Sequence, residues 1–197
     1  THYDVYTAEG VMSPDGKTIV FTSLKDGDLE IYTMNTDGTD VQRLTHTPGY
    51  DGGAWWSPDG KQIAYRANHP TDSSELAAYR GLLDQRLVRP SKVELYVMNA
   101  DGSNQRQITH LGGANFGPSW TPDGKQIMFS SNYKEPHSGN FDLFLIDPDG
   151  SNLEQVTFDQ SFDGFPMFSP DGKKLVWASN RNDNKPGETN LFIADWQ

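Results

Sequence analysis

The sequence predicts an all-β fold of four repeated antiparallel units, each with four strands except the last, which lacks its outer strand. One observation is a five-residue turn, [ST]-P-D-G-K, that occurs at residues 13–17, 57–61, 121–125 and 169–173. A second is that each turn leads into two apolar strand-like runs and, in the first three repeats, an Asp-Gly turn and a short closing run. Four-stranded repeats of this length stack radially. The predicted architecture is therefore a β-propeller of four blades.

The four strands of each unit are named A to D in chain order, and the repeated turn joins A to B. Proline presets φ near −65° in that turn, and glycine takes the left-handed conformation that closes it. Strand B is apolar on both faces, which is typical of a sheet covered by a neighbour on each side. A single unit cannot bury both faces, so the units must stack. The blades of this one domain fall at about residues 1–47, 48–111, 112–159 and 160–197.

The composition excludes several classes of protein. The 197 residues carry 16 Lys and Arg against 27 Asp and Glu, a net charge of −11, and no cysteine. Without clustered basic residues to neutralise phosphates, nucleic acid is not an expected partner. No apolar run reaches the ~18 residues of a membrane-spanning helix, so no membrane span is predicted. The absence of cysteine excludes disulfide frameworks and thiolate metal sites.

The repeat resembles a known family. The S-P-D-G-K turn, the apolar strand B, a Y-x-M-[ND]-x-D-G segment and a closing [LIV]-T are similar to the repeat of TolB-type, WD-repeat-like β-propellers. The resemblance covers essentially the whole chain apart from one insertion. It implies a periplasmic or secreted protein that binds a protein partner through its propeller. Many unrelated propellers use this blade, so the resemblance specifies fold better than function.

The two ends of the repeat do not match. The chain begins just after a strand D that it does not contain and stops before strand D of the last blade, which leaves strand C there as an open edge. We expect either the C-terminal blades of a longer TolB-like propeller or an autonomous four-blade unit. In the first case the missing blades are expected to supply the closing strand, and in the second the unit is expected to close by pairing with another chain.

One face of the propeller carries the variable loops. The A–B and C–D turns lie on one side, and the D–A and B–C connections lie on the other, which is the predicted binding face. Its largest feature is an insertion at about residues 70–91, where Ser74 is expected to cap a helix that begins at Glu75. Its apolar face is predicted to act either as a lid or as a docking helix, and consists of Leu76, Tyr79, Leu82, Leu83 and Leu87.

A second candidate site is a ring at the channel mouth, with one residue per blade just before strand A. Blade symmetry predicts that one side chain from each blade points toward the same central axis: Thr7, Asp51, Asn115 and Asp163. Two of the four are acidic, which suits a cation, an amine or ligand hydroxyls. Asp and Asn before glycine are also ordinary turn formers, so a structural role stays open. We predict no cofactor, with Ca²⁺ or another divalent cation as the alternative, and the metal ligands are unknown.

Four residues on the loop face depart from the repeat and are further candidates for unit-specific binding: Arg66, His69, His137 and Arg181. The two histidines lie in adjacent blades and are a weak candidate for a metal pair.

The sequence lacks the common catalytic signatures: no G-x-S-x-G elbow, H-E-x-x-H, Walker A or dinucleotide fingerprint occurs. We therefore predict no catalytic residues and a non-enzymatic scaffold that docks a protein or peptide on the D–A/B–C face. The alternatives are a glycan- or peptide-acting enzyme or accessory domain with a metal or polar ligand at the channel mouth, and a structural part of a longer propeller.

Overall fold

The computed structural model of the chain describes residues 1–182, 185 and 187–197. In this part of the chain, fifteen strands form four antiparallel sheets in chain order, and each sheet is one blade. The predicted four-blade, all-β propeller is confirmed. Blades 1 and 2 consist of β1 (Thr7–Met12), β2 (Thr18–Ser23), β3 (Glu30–Asn35), β4 (Gln42–Arg43), β5 (Tyr50–Trp56), β6 (Gln62–Asn68), β7 (Glu94–Asn99) and β8 (Arg106–Gln107).

Blades 3 and 4 consist of β9 (Asn115–Trp120), β10 (Ile127–Ser131), β11 (Asp142–Ile146), β12 (Glu154–Gln155), β13 (Asp163–Phe168), β14 (Lys174–Ser179) and β15 (Asn190–Asp195). Helix α1 (Ser73–Leu83) and a 3-10 turn (Pro90–Lys92) lie between β6 and β7. The three outer strands are only two residues long, and blade 4 ends at β15 in strand order.

The A–B turns have the same conformation in every blade. In the first, Ser13 Oγ donates to Asp15 Oδ1 at 2.7 Å and accepts from the Thr18 N–H at 3.0 Å. The turn glycine has φ of +70° in each blade, in the left-handed region that glycine enters without steric cost. The turn is therefore held by hydrogen bonds among its own residues.

Consecutive blades are joined by repeated hydrogen bonds. The backbone N–H near the start of strand A donates to the carbonyl just before strand C of the preceding blade, as from Asp51 to Leu29 at 2.9 Å. The indole of Trp56 donates to the Val11 carbonyl of blade 1 at 3.1 Å, and Trp120 repeats this bond to blade 2 at 3.3 Å. These bonds fix the rotation of one blade relative to the next.

Apolar side chains fill the space between sheets. Val20 and Ile31 of blade 1 pack with Trp56, Ile63 and Met98 of blade 2, and all five are buried. Equivalent clusters join blades 2 and 3 and blades 3 and 4. Burying both faces of strand B in this way explains its apolar character on both sides.

An acidic side chain and a threonine hold each short outer strand. Glu30 starts β3 and accepts a hydrogen bond from Thr45 Oγ1 at 2.5 Å, while Thr45 Oγ1 accepts from the Ile31 N–H at 2.9 Å. Glu94 with Thr109 and Asp142 with Thr157 repeat this pair. Glu30 also pairs with Arg43, and burial raises the pKa of its carboxyl to about 7.

The last blade has one bare face. In the described residues, blade 4 packs against blade 3, and no extensive interface joins it to blade 1. Leu191 and Ile193 of β15 are 79% and 68% exposed, whereas Leu95 and Leu143, which occupy the position of Leu191 in blades 2 and 3, are fully buried. The outer face of blade 4 thus has the apolar character of a blade interface without a neighbour.

Candidate functional site

The insertion lies on the D–A/B–C face and is attached to it by one tyrosine. Tyr79 Oη lies 2.5 Å from Asp28 Oδ1, in the B–C loop of blade 1, and 3.0 Å from the Gly49 carbonyl, in the next D–A loop. Glu75 and Lys92 form an ion pair at 3.1 Å that ties the two ends of the insertion together. The helix is therefore fixed across the loops of blades 1 and 2.

The helix begins earlier than the sequence analysis predicts. Its N-cap is Asp72, whose Oδ1 accepts from the backbone N–H groups of Ser74 and Glu75 at 2.7 and 3.2 Å. Ser74 as the cap and Glu75 as the first helical residue were wrong by two residues. An aspartate at the cap satisfies free N–H groups and places a negative charge at the positive end of the helix dipole, which favours Asp72 over Ser74.

The predicted apolar face of the insertion is only half covered. Leu76, Tyr79, Leu82 and Leu83 are half-buried, and none of the helical residues is fully buried. Leu87 lies beyond the end of the helix and is 54% exposed. The face is thus neither a fully buried lid nor a free docking helix, because it forms one wall of open cavities.

Two cavities flank this helix. The first, of about 360 Å³, is lined by Tyr79 and Leu82, among others, and the second, of about 540 Å³, by Tyr6 and Leu83. They share three lining residues, Tyr50, Arg66 and Val88. We call the two cavities together the helix pocket, with a 360 Å³ lobe and a 540 Å³ lobe.

The shared wall contains a polar cluster. Arg66 Nη2 donates to Glu9 Oε1 at 2.6 Å, and Arg66 Nε donates to Tyr50 Oη at 2.8 Å. Glu9 also accepts from the Gly53 N–H at 2.8 Å and from Thr22 Oγ1 at 2.9 Å. Burial raises the pKa of Tyr50 to about 12, so the phenol is neutral near pH 7. The guanidinium is thus neutralised and held rigid in the wall.

Glu9 was missed by the sequence analysis. It has φ of +57°, in the bulge that interrupts the pairing of β1 with β2. The equivalent positions, each four residues before the A–B turn, are Gly53, Gly117 and Phe165, all with positive φ. A non-glycine residue there costs roughly 1–2 kcal/mol, and such strain often marks a functional position. The available signal was the replacement of glycine in a gapless repeat.

The predicted ring residues lie within the first two residues of strand A in each blade, and their side chains are hydrogen-bonded to protein groups, in the case of Asn115 also to Glu94 of the preceding blade. Thr7 Oγ1 lies 2.9 Å from Ser23 Oγ, and Asn115 Oδ1 accepts from Ser131 Oγ at 2.6 Å. Asp51, Asn115 and Asp163 are fully buried, and burial raises the pKa of Asp51. Ligand binding by this ring stays a prediction.

The loop-face candidates differ in their surroundings. His69 Nε2 lies 3.0 Å from Asp51 Oδ1, and Arg181 pairs with Asp163 and stacks over Trp177. His137 is exposed in the loop between β10 and β11. Within the described ranges, no set of three or more His, Asp or Glu side chains is arranged to hold a metal ion. Metal binding at the two histidines stays untested.

A cluster of phenylalanines lies where strand A of blade 3 meets blade 4. The ring of Phe165 lies 5.2 Å from Phe116 and 6.1 Å from Phe162, and Phe141 lies 5.2 Å from Phe116. Phe165 is 54% exposed, so part of this aromatic surface faces solvent. The rest of the cluster serves the interface between blades 3 and 4.

The blades, the repeated turns and the variable loop face define the chain as a β-propeller built from TolB-type repeats. Its sequence matches the TolB beta propeller domain family over residues 5–73 and 83–184, and the chain belongs to that family. The match is interrupted at residues 74–82, which lie within helix α1.

Similar proteins include peptidases and TolB proteins. The chain is 29% identical over 152 residues to the uncharacterized peptidase YuxL of Bacillus subtilis, covering 68% of this chain and 23% of that protein. It is 30% identical over 146 residues to the TolB homolog of Chlorobium chlorochromatii, covering 62% of this chain and 33% of that protein. The crystal structure of TolB from Acinetobacter baumannii, 22% identical, superposes with a TM-score of 0.73 over 97% of this chain and 41% of that one. The chain thus spans a third or less of these two curated relatives. None of the helices in the described residues has the length and apolar character needed to cross a membrane.

Proposed function

We propose that the chain is a non-enzymatic binding scaffold that docks a protein or peptide on the D–A/B–C face. The supporting observation is the helix pocket, an open apolar recess with a fixed polar group in its wall. Ligand sites have this character: concave, mostly apolar, and oriented by a few polar groups. The insertion that forms the pocket lies partly outside the family match, which supports a role particular to this protein.

The wall residue Val88 provides a test. Val88 lines both lobes, and its neighbour Leu87 lines neither. Both are exposed, at 42% and 54%, so tryptophan at either position is not expected to unfold the chain. Val88→Trp places a large side chain in the wall shared by the two lobes and obstructs them, and Leu87→Trp is the matched control.

The probe is a randomised peptide library displayed on phage. We expect the wild-type chain and Leu87→Trp to enrich the same peptides, and Val88→Trp to lose them. If Val88→Trp still enriches the same peptides, the helix pocket is not the docking site. No enrichment on the wild-type chain would overturn docking itself.

A second candidate is a peptide-acting enzyme, favoured by the similarity to the peptidase YuxL. Purified chain incubated with chromogenic dipeptide substrates separates the two proposals. We expect no hydrolysis above the blank. Hydrolysis that follows the protein through purification and is lost in Val88→Trp would favour the enzyme.

We further propose a periplasmic or secreted location, supported by membership of the TolB propeller family. Fractionation of cells that express the native gene tests it. Recovery in the cytosolic fraction alone would overturn it.

A further inference from the structure

The surroundings of the helix pocket differ in charge from the rest of the molecule. Residues 66–92 contain five basic and three acidic side chains, a local charge of +2 in a chain of net charge −11. Four of the five basic residues line the pocket: Arg66, Arg86, Arg89 and Lys92. A basic rim on an acidic protein is a local feature that the composition alone conceals.

Two of these cations are available to a ligand. Arg66 is neutralised by Glu9, and Lys92 by Glu75. Arg86 lines the 540 Å³ lobe and Arg89 the 360 Å³ lobe, and both are exposed. Neither side chain forms an ion pair or a hydrogen bond with any residue that the structure describes. Each lobe therefore has one free guanidinium at its rim.

The interior of each lobe is mostly apolar, and the linings also include Asp4 in the larger lobe and Glu75 in the smaller one. Leu82 and the ring of Tyr79 line the smaller lobe, and Leu24, Leu29 and Leu83 line the larger one. The fixed Arg66–Glu9 pair adds no net charge to the wall between them. The lobes therefore favour apolar groups of a ligand, and the guanidinium groups at the rim favour negatively charged groups next to them.

We infer that the helix pocket binds an extended peptide segment that alternates apolar and acidic side chains. This inference rests on the proposed docking function and specifies its ligand. In an extended chain, side chains two residues apart point the same way, roughly 6.6 Å from each other, and those between point oppositely. Two neighbouring apolar lobes suit two such side chains, and the carboxylates between them point outward to the rim, where the exposed guanidinium groups of Arg86 and Arg89 meet them. Guanidinium forms paired hydrogen bonds with carboxylates.

The inference is tested with three fluorescein-labelled peptides of equal length. One alternates Asp and Leu, one Ser and Leu, and one Lys and Leu, and binding is followed by fluorescence anisotropy. We expect the Asp–Leu peptide to bind the wild-type chain most tightly and the Lys–Leu peptide most weakly. We also expect the affinity of the Asp–Leu peptide to fall with added salt, because exposed ion pairs are screened.

The rim is tested with a double charge reversal. Arg86→Glu with Arg89→Glu should weaken binding of the Asp–Leu peptide roughly tenfold, given the modest strength of exposed ion pairs. Lys17→Glu with Lys61→Glu makes the same charge change on the A–B turns, at side chains about 80% exposed, and is the matched control. It should change the affinity less than about twofold. Equal melting temperatures of all variants establish that each is folded.

The outcomes separate the ligand class from the docking function. Equal affinity for the Ser–Leu peptide, or tighter binding of the Lys–Leu peptide, overturns the acidic ligand and leaves docking intact. If the two double variants weaken binding equally, the effect depends on net charge alone, and this result also overturns the acidic ligand. If decanoate binds the pocket while no peptide of the three does, the ligand is a lipid-like anion and the inference fails. If the phage library is also not enriched, the docking function fails with it.

Discussion

The second residue of strand C, which faces the blade interface, offers a matched pair of substitutions. Leu143 in blade 3 is fully buried and packs with Met128, Leu145 and Leu175. Leu191 occupies the same position in blade 4 and is 79% exposed. Truncation to alanine at the two positions therefore removes the same atoms from opposite environments.

The expected costs differ severalfold. Leu143→Ala removes buried methyl groups and leaves a cavity, which costs about 2–5 kcal/mol. Leu191→Ala removes groups that are largely hydrated in the folded chain, so its cost is expected to be below about 1 kcal/mol. Urea unfolding followed by tryptophan fluorescence measures both, at two protein concentrations that differ widely.

Two results would refute this reasoning. A loss of about 2 kcal/mol or more for Leu191→Ala would show that the outer face of blade 4 is covered in solution. If that loss grows with protein concentration, the covering surface belongs to a second copy of the chain. A loss below about 1 kcal/mol for Leu143→Ala would instead contradict the tight packing between blades 3 and 4.

Three further predictions concern the polar groups. Glu9→Gln leaves the guanidinium of Arg66 without a charged partner and should cost about 1–3 kcal/mol of unfolding free energy in a urea titration. Glu75→Gln, at an exposed ion pair, should cost less than about 0.5 kcal/mol in the same titration. Tyr79→Phe removes the hydroxyl that anchors the insertion, so trypsin should cleave the insertion faster at an unchanged urea midpoint; unchanged cleavage would show that the anchor is dispensable. Because the pKa of Glu30 is raised from 4.5 to about 7, the folded state holds the extra proton, and stability should fall as pH rises from about 4.5 through 7. Glu30→Gln should flatten that fall, and a parallel pH profile of the variant would assign the effect elsewhere.

The blades were predictable because their signals are local. The Pro-Asp-Gly turn at residues 14–16 dictates its own conformation, and a strand that is apolar on both faces implies neighbours on both sides. The insertion was also visible, although Asp72 and Ser74 are both good capping residues and local sequence does not rank them reliably.

The contents of the candidate site were harder to predict because its contacts are distant in sequence. Glu9 and Arg66 are 57 residues apart, and their meeting depends on how blade 1 is rotated against blade 2. Asp51 and His69 were both identified as candidates, but as members of different sets, and only the pairing of β5 with β6 brings them together. The free rim cations emerge only by elimination, once the partners of Arg66 and Lys92 are known.

The two-residue outer strands have a consequence for handling the protein. A four-stranded blade exposes almost no unpaired strand backbone at its outer edge, because a side-chain pair such as Glu30 and Thr45 replaces most of the backbone hydrogen bonds there. In the part of the chain that the structure describes, the six-residue strand β15 has no outer strand beside it, so its outward-facing backbone donors and acceptors are unpaired next to exposed leucine and isoleucine. Concentrated samples should therefore form β-rich oligomers through this edge first. A proline or lysine placed on β15 should keep the protein monomeric without changing the helix pocket.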